Sequence, residues 1–107
     1  MPDRVGAVFA ALADERRRVV VELLAARGSA TATELAAELP VTRQAVSKHL
    51  GSLGEAGLVS VTRRGREARY ELTPEPLGDA VGWIERVGSQ WDERLDALRR
   101  HLGDSAR

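Results

Sequence analysis

Residues 41–59 read Val41-Thr42-Arg43-Gln44-Ala45-Val46-Ser47-Lys48-His49-Leu50-Gly51-Ser52-Leu53-Gly54-Glu55-Ala56-Gly57-Leu58-Val59, and this stretch decides the fold. At about 100° per residue, Val46, Leu50 and Leu53 share one face of a helix. Thr42 supplies an N-cap and Gly57 a C-terminal stop, so the helix is predicted to run to about Ala56. Gln44 and Lys48 fall opposite the apolar face, with Ser47 and Gly51 beside them and Arg43 and His49 on the flanks. Upstream, Pro40 ends a short helix expected over residues 34–39. Thr31 and Thr33 both offer its cap: Thr31 with Glu34 fits a capping box, and Thr33 stands at the more usual distance from Leu35. Helix, a turn of a few residues, then helix is a helix-turn-helix layout.

On the downstream side, Val59 and Val61 alternate with polar residues, as do Ala68, Tyr70 and Leu72. Gly65 supplies a turn between them. The segment reads as a β-hairpin whose tip, Arg63-Arg64-Gly65-Arg66, is rich in arginine. On the upstream side, Val5, Val8, Phe9 and Leu12 form an apolar helical stripe. Asp14 interrupts it and caps a second helix in which Val19, Val20, Leu23 and Leu24 are expected to face inward, with Gly28 at its end. Pro74-Glu75-Pro76 opens a last helix. There Leu77, Val81, Ile84, Gly88, Trp91, Leu95, Leu98 and Leu102 alternate by four and three residues, a heptad-like seam over about 26 residues. Trp83 and Val87 widen it. A small domain does not need so much apolar face for its own core.

The expected fold class is therefore mainly α with a small β-hairpin, five helices plus a wing. The 107 residues form one domain of that kind, with the helix-turn-helix over residues 31–56, the wing over 58–72 and a dimerisation helix over 75–102.

The chain carries 16 Lys and Arg against 16 Asp and Glu, a net charge of zero. On that number alone nucleic acid is a poor partner. The distribution says otherwise. Residues 42–70 hold six cations against Glu55 and Glu67, a net +4, while residues 1–41 carry −1 and residues 71–107 carry −3. A local basic segment is the electrostatic footprint of a nucleic-acid face, although chance clustering on a solvated face produces it too. The residue types suit base reading. Arg and Lys pair with guanine acceptors, Gln pairs bidentately with adenine, and Ser serves either role. Thr42, Arg43, Gln44, Ser47, Lys48 and His49 are thus the candidate major-groove residues. Arg63, Arg64 and Arg66 suit phosphates or an adjacent minor groove. An ordinary amphipathic helix, or an ordinary basic loop, explains either feature alone; their succession along the chain is what points to double-stranded DNA.

Other chemistry finds little support. Cysteine is absent, which removes disulfides, thiolate metal sites and thiol nucleophiles and points to the cytosol. No apolar run approaches the length of a membrane span. Met1-Pro2-Asp3-Arg4 lacks the layout of a secretory leader. His49 as a general base has no orienting carboxylate among its neighbours. His101 with Asp104 supplies two ligands, too few for a closed zinc site. Asp92, Glu93 and Asp96 read as a solvated face, with i, i+4 support from Asp96 to Arg100. No cofactor, no metal and no membrane partner is expected.

Several stretches resemble the ArsR family of winged-helix repressors. They are Phe9-Ala10-Ala11-Leu12-Ala13-Asp14 with Arg17 and Arg18, then Glu34-Leu35-Ala36, and above all residues 41–50 with Leu53-Gly54-Glu55-Ala56-Gly57-Leu58-Val59. Gly65-Arg66 and Arg69-Tyr70 continue the likeness, which covers roughly residues 5–102. The resemblance implies a homodimeric transcriptional repressor whose terminal helices form the dimer and whose recognition helices enter successive major grooves of a pseudo-palindromic operator. Gln44, Ser47, Lys48 and His49 fall on the family's recognition positions. The family's metal sensors carry a cysteine pair in the first helix of the helix-turn-helix, where this chain has Glu34-Leu35-Ala36-Ala37-Glu38. The long tryptophan-containing last helix looks like the metal-independent branch. A dimer interface is expected at Val5, Phe9, Ile84, Trp91, Leu95 and Leu98, and repression of its own operon is the expected role. The rival reading is a helical protein-interaction module that uses the heptad face for a different partner; a small enzyme ranks last.

Overall fold

The computed structural model describes residues 3–105, with the side chains of Asp104 and Ser105 outside the description. The N-terminal tetrapeptide and the His101–Asp104 pair thus lie partly beyond it. Five helices and three short strands follow in the order α1 (Arg4–Leu12), α2 (Glu15–Arg27), β1 (Ala30–Thr31), α3 (Ala32–Ala37), α4 (Arg43–Glu55), β2 (Val59–Arg64), β3 (Glu67–Leu72) and α5 (Pro74–Ser105). The mainly helical class with a wing is what the sequence led us to expect. The strand β1 is not. It pairs antiparallel with β3, Ala30 opposite Tyr70 and Thr31 opposite Arg69, so the sheet has three strands in the order β1-β3-β2. Two residues are too few to show alternation, and Thr31 serves both as strand and as helix cap.

Caps explain the helix boundaries. The Asp14 carboxylate accepts from the Arg16 backbone N–H at 2.8 Å and starts α2. Arg17 and Arg18 then reach back over α1. Arg17 Nε donates to the Ala11 carbonyl at 2.7 Å and Arg18 Nη1 to the Leu12 carbonyl at 2.6 Å. These guanidinium groups satisfy carbonyls that α1 leaves unpaired at its negative end, and so fix the bend between the two helices. Thr31, rather than Thr33, caps α3. Its hydroxyl accepts from Glu34 N at 3.1 Å and Glu34 Oε1 accepts from Thr31 N at 3.0 Å, a reciprocal box. The helix accordingly begins two residues before the expected start and ends at Ala37.

The core gathers Val8, Val20, Leu24, Leu35, Val46, Leu50, Leu53 and Leu58 with smaller residues around them. Val19 departs from expectation. It lies about 120° around α2 from the line through Val20 and Leu24 and is 38% exposed. Leu23 and Val21 flank the buried line instead. The hairpin strands also run further than expected. Arg64 pairs with Glu67, and only Gly65 and Arg66 turn the chain. Gly65 has φ 58° with no other positive value at the tip, the pattern of a II′ turn.

Helix α5 has 32 residues, roughly 48 Å of helix. Its first turns bury Pro76 and Ala80. From Gly88 to Gly103 every residue is exposed. The radius of gyration is 19.5 Å, where a compact chain of this length has about 13 Å. Half of α5 therefore projects beyond the core. No helix among the described residues is long and apolar enough to cross a membrane.

Candidate nucleic-acid interface

Helix α4 is held firmly at both ends. The Thr42 hydroxyl accepts from Ala45 N at 3.1 Å. At the other end Leu58 N donates to the Leu53 carbonyl at 2.9 Å and Gly57 N to Gly54 O at 3.0 Å. This is a Schellman closure, and it needs the positive φ of 79° at Gly57. Val46, Leu50 and Leu53 are buried. The helix is thereby fixed in rotation, and its outer face is decided by its inner one.

That outer face holds Arg43, Gln44, Ser47 and Lys48, all exposed. None of the four side chains has a hydrogen-bond or ion-pair partner among the described residues. A Cβ added at Gly51 meets nothing within 4 Å, so packing within the chain does not require glycine there. Thr42 is committed to the cap. His49 is placed differently from the other candidates: it is half-buried and turns toward α2, beside Val19 and Val20.

The hairpin separates its three arginines. Arg63 and Arg66 share a polar cleft of about 450 Å³ with Arg43 and Ser47 of α4, Thr33 of α3 and Tyr70. Arg64 lies on the opposite face of the hairpin with Thr62, Arg69 and Glu71, as alternation along a strand demands. The cleft has the place and charge to hold one sugar-phosphate strand between the two elements.

Arg69, counted with the basic segment, is not available in the same way. Its guanidinium bonds Glu34 at 2.9 Å, Glu67 at 3.0 Å and the Ser29 hydroxyl at 3.2 Å. Glu34 in turn meets Arg27 at 2.8 Å, and Arg27 meets Glu38 at 2.8 Å. The hydrogen bond to Glu67 and the nearby Glu34 charge hold the Arg69 guanidinium above its ordinary pKa. The Thr31 N–H, first, and then the Thr31 hydroxyl and the two arginines hold the Glu34 carboxyl below its own. This clamp ties α2, α3 and β3 together under the interface. The reading of the sequence missed it. The Thr31-to-Glu34 spacing marks the cap, but nothing in the sequence marks an arginine 35 residues away.

The residues expected at a dimer interface lie on α1 and α5, and none of them lines the cleft. Val5 is half-buried; Phe9, Ile84, Trp91, Leu95 and Leu98 are exposed. Phe9 and Trp83 meet edge to face, 5.6 Å between ring centres.

Residues 12–62 match the helix-turn-helix domain family. Among curated relatives, the chain is 40% identical to the uncharacterized HTH-type transcriptional regulator YuzN of Bacillus subtilis, covering 74% of this chain and 94% of the relative. It is 32% identical to the transcriptional repressor SdpR of the same organism, over 82% and 97%. Among solved structures, an ArsR-like transcriptional regulator from Rhodococcus sp. RHA1 superposes with a TM-score of 0.79 at 41% identity, covering 91% of each chain.

Proposed function

The chain belongs to the ArsR family of helix-turn-helix transcriptional regulators, which are DNA-binding proteins and not enzymes, and from that premise we propose that it is a cytoplasmic homodimer that represses its own operon. Two copies seat their α4 helices in successive major grooves of a pseudo-palindromic operator. Gln44, Ser47 and Lys48 read bases, Arg43 and the hairpin arginines Arg63 and Arg66 hold phosphates, and Arg64 lies further from the duplex. One observation carries this reading: a rotationally fixed helix presents four unpartnered polar side chains beside an arginine-lined cleft. The test is a titration against the DNA upstream of its own gene. Nanomolar, salt-sensitive binding that random DNA does not match is expected; equal affinity for both would refute it.

The dimer is supported by α5. Val81, Ile84, Trp91, Leu95, Leu98 and Leu102 are between 41% and 60% exposed, and an apolar stripe of that length on a small chain marks an interface. A two-fold axis through it makes the contact self-complementary. Residues 31–56, 58–72 and 75–102 are the working divisions of this single domain.

Relief of repression does not require a metal in this reading. The family's cysteine pair is missing, and no group of three His, Asp or Glu side chains gathers to hold an ion among the described residues. Excess zinc or a strong chelator should leave operator affinity unchanged within about threefold, or ~0.7 kcal/mol. A tenfold shift that His101→Ala abolishes contradicts this.

A further inference from the structure

Between α2 and the turn of the helix-turn-helix lies an apolar groove of about 160 Å³. Val19, Val20, Leu39, Pro40 and Val41 form its walls, and His49 of α4 stands at one side. An aliphatic cavity of about 150 Å³ takes up a single benzene ring, so the space suits one ring and little more. Val19, left 38% exposed beside the buried Val20, is an apolar side chain that this groove presents to solvent.

The polar groups define what kind of ring. His49 makes no hydrogen bond among the described residues, and it is half-buried against the apolar wall. At the mouth stand Glu15 and Arg16, one charge of each sign. The Asp14 carboxylate nearby is occupied by the Arg16 backbone N–H at 2.8 Å. That hydrogen bond leaves the Asp14 charge in place, but the Arg17 guanidinium also acts on it, so the rim carries two charges of each sign and favours neither an anion nor a cation. A neutral hydroxyl can both donate to and accept from an imidazole.

We propose that this groove binds a small uncharged single-ring molecule carrying one hydroxyl, of the phenol class, and that its occupation weakens DNA reading by α4. The second half rests on the role of α4 given above. The ring lies against Pro40 and Val41, which lead directly into the Thr42 cap, and against His49, next in sequence to Lys48. A guest there presses on both ends of the segment that carries Gln44 and Ser47.

The test uses the full chain and phenol as the probe, first without DNA. In a ¹H–¹⁵N NMR titration, saturable shifts are expected at Val19, Val41 and His49, with a Kd on the order of 1 mM, within what so small a ligand can deliver. Toluene, benzoate and benzylamine should each bind at least about fivefold more weakly, about the net worth of one hydrogen bond. Val19→Trp fills the groove and should abolish the shifts, and His49→Phe should reduce phenol to the affinity of toluene. Shifts confined to the α5 stripe, tighter binding of either charged probe, or undiminished binding by Val19→Trp overturn the site.

The operator is added second. Saturating phenol should lower operator affinity at least about threefold in the parent chain, and Val19→Trp, whose indole fills the groove as a guest does, should bind the operator at the lowered affinity with or without phenol. Unchanged affinity in the parent chain overturns the coupling. A chain that takes up phenol in the groove yet never prefers an operator refutes the DNA reading and leaves the groove site standing.

Discussion

Helix α4 and the outer half of α5 both present a face that none of the described residues covers, but the faces are opposite in kind. On α4 the apolar side is buried and the polar side is left without partners. On α5 beyond Gly88 the apolar side itself is left bare. They differ also in how they are held. Helix α4 is capped at both ends and rests on a sheet clamped to α2 and α3 through Glu34, Arg69 and Arg27. Among the described residues, the outer half of α5 has only the intrahelical Arg99–Asp96 contact at 3.4 Å to hold its side chains. A polar face fixed in advance suits a rigid, charged partner. A bare apolar face with no support suits a partner that supplies the missing half of a core, as a second copy does.

The largest expected effect strikes the bare face. Leu95→Asp with Leu98→Asp removes four buried leucines from a two-fold interface, at roughly 1.5–3 kcal/mol each before any charge is desolvated. The parent chain should sediment at twice its 11.6 kDa mass, and the variant as a monomer with its core intact, because neither leucine is buried in the chain. A parent chain that is already monomeric at micromolar concentration removes α5 from the comparison altogether.

Next comes the polar face. Gln44→Ala or Lys48→Ala should cost about 1–3 kcal/mol per half-site and relax specificity at one base pair. A dimer that neutralises on the order of 6–10 phosphates should show log K falling with log salt at a slope of roughly −5 to −9. Equal loss on operator and random DNA for Gln44→Ala would take base reading away from α4. The wing sharpens the picture further. Arg63→Ala should weaken binding to all sequences by about one phosphate contact, lowering the salt slope by about 1 per half-site. Arg64→Ala, on the other face of the hairpin, should do measurably less. The reverse ranking would mean that the duplex passes on the outer side of the wing.

Much of the α4 arrangement was legible because local signals agreed. Thr42, the triplet Val46, Leu50 and Leu53, and Gly57 all specify one helix in one rotation, and the outer residues follow. The heptad of α5 was equally plain, since its period is sustained. What stayed hidden depends on residues far apart in the chain. The strand β1 exists only because Tyr70 and Arg69 lie beside it. Val19 is exposed because Val20 and Leu24 set the buried line of α2, and a four-residue apolar cluster does not say which two will lead. The arginines at the hairpin tip looked equivalent in sequence; pairing of Arg64 with Glu67 sets them on opposite faces.

The smallest effect tests whether the clamp under the polar face carries weight. Thr31→Ala removes a cap and should cost about 1 kcal/mol of stability, as such caps do. Glu34 adds a dependence on pH. Its carboxyl is held below its ordinary value, chiefly by the Thr31 N–H, and Asp14 is lowered in the same way by the Arg16 N–H. Folding therefore favours the ionised forms. That contribution is fully present above the ordinary carboxylate pKa of about 4 and is lost as pH falls through the lower folded-state values. In urea titrations from pH 6 to pH 3, the parent chain should lose stability over the acid part of the range. Glu34→Gln keeps an acceptor for the Thr31 N–H and should lose less, giving a shallower acid limb from a lower starting point. If Glu34→Gln reproduces the parent slope, Glu34 titrates alike in both states. The helix-turn-helix then stands without the clamp, and the contrast in support between the two faces disappears.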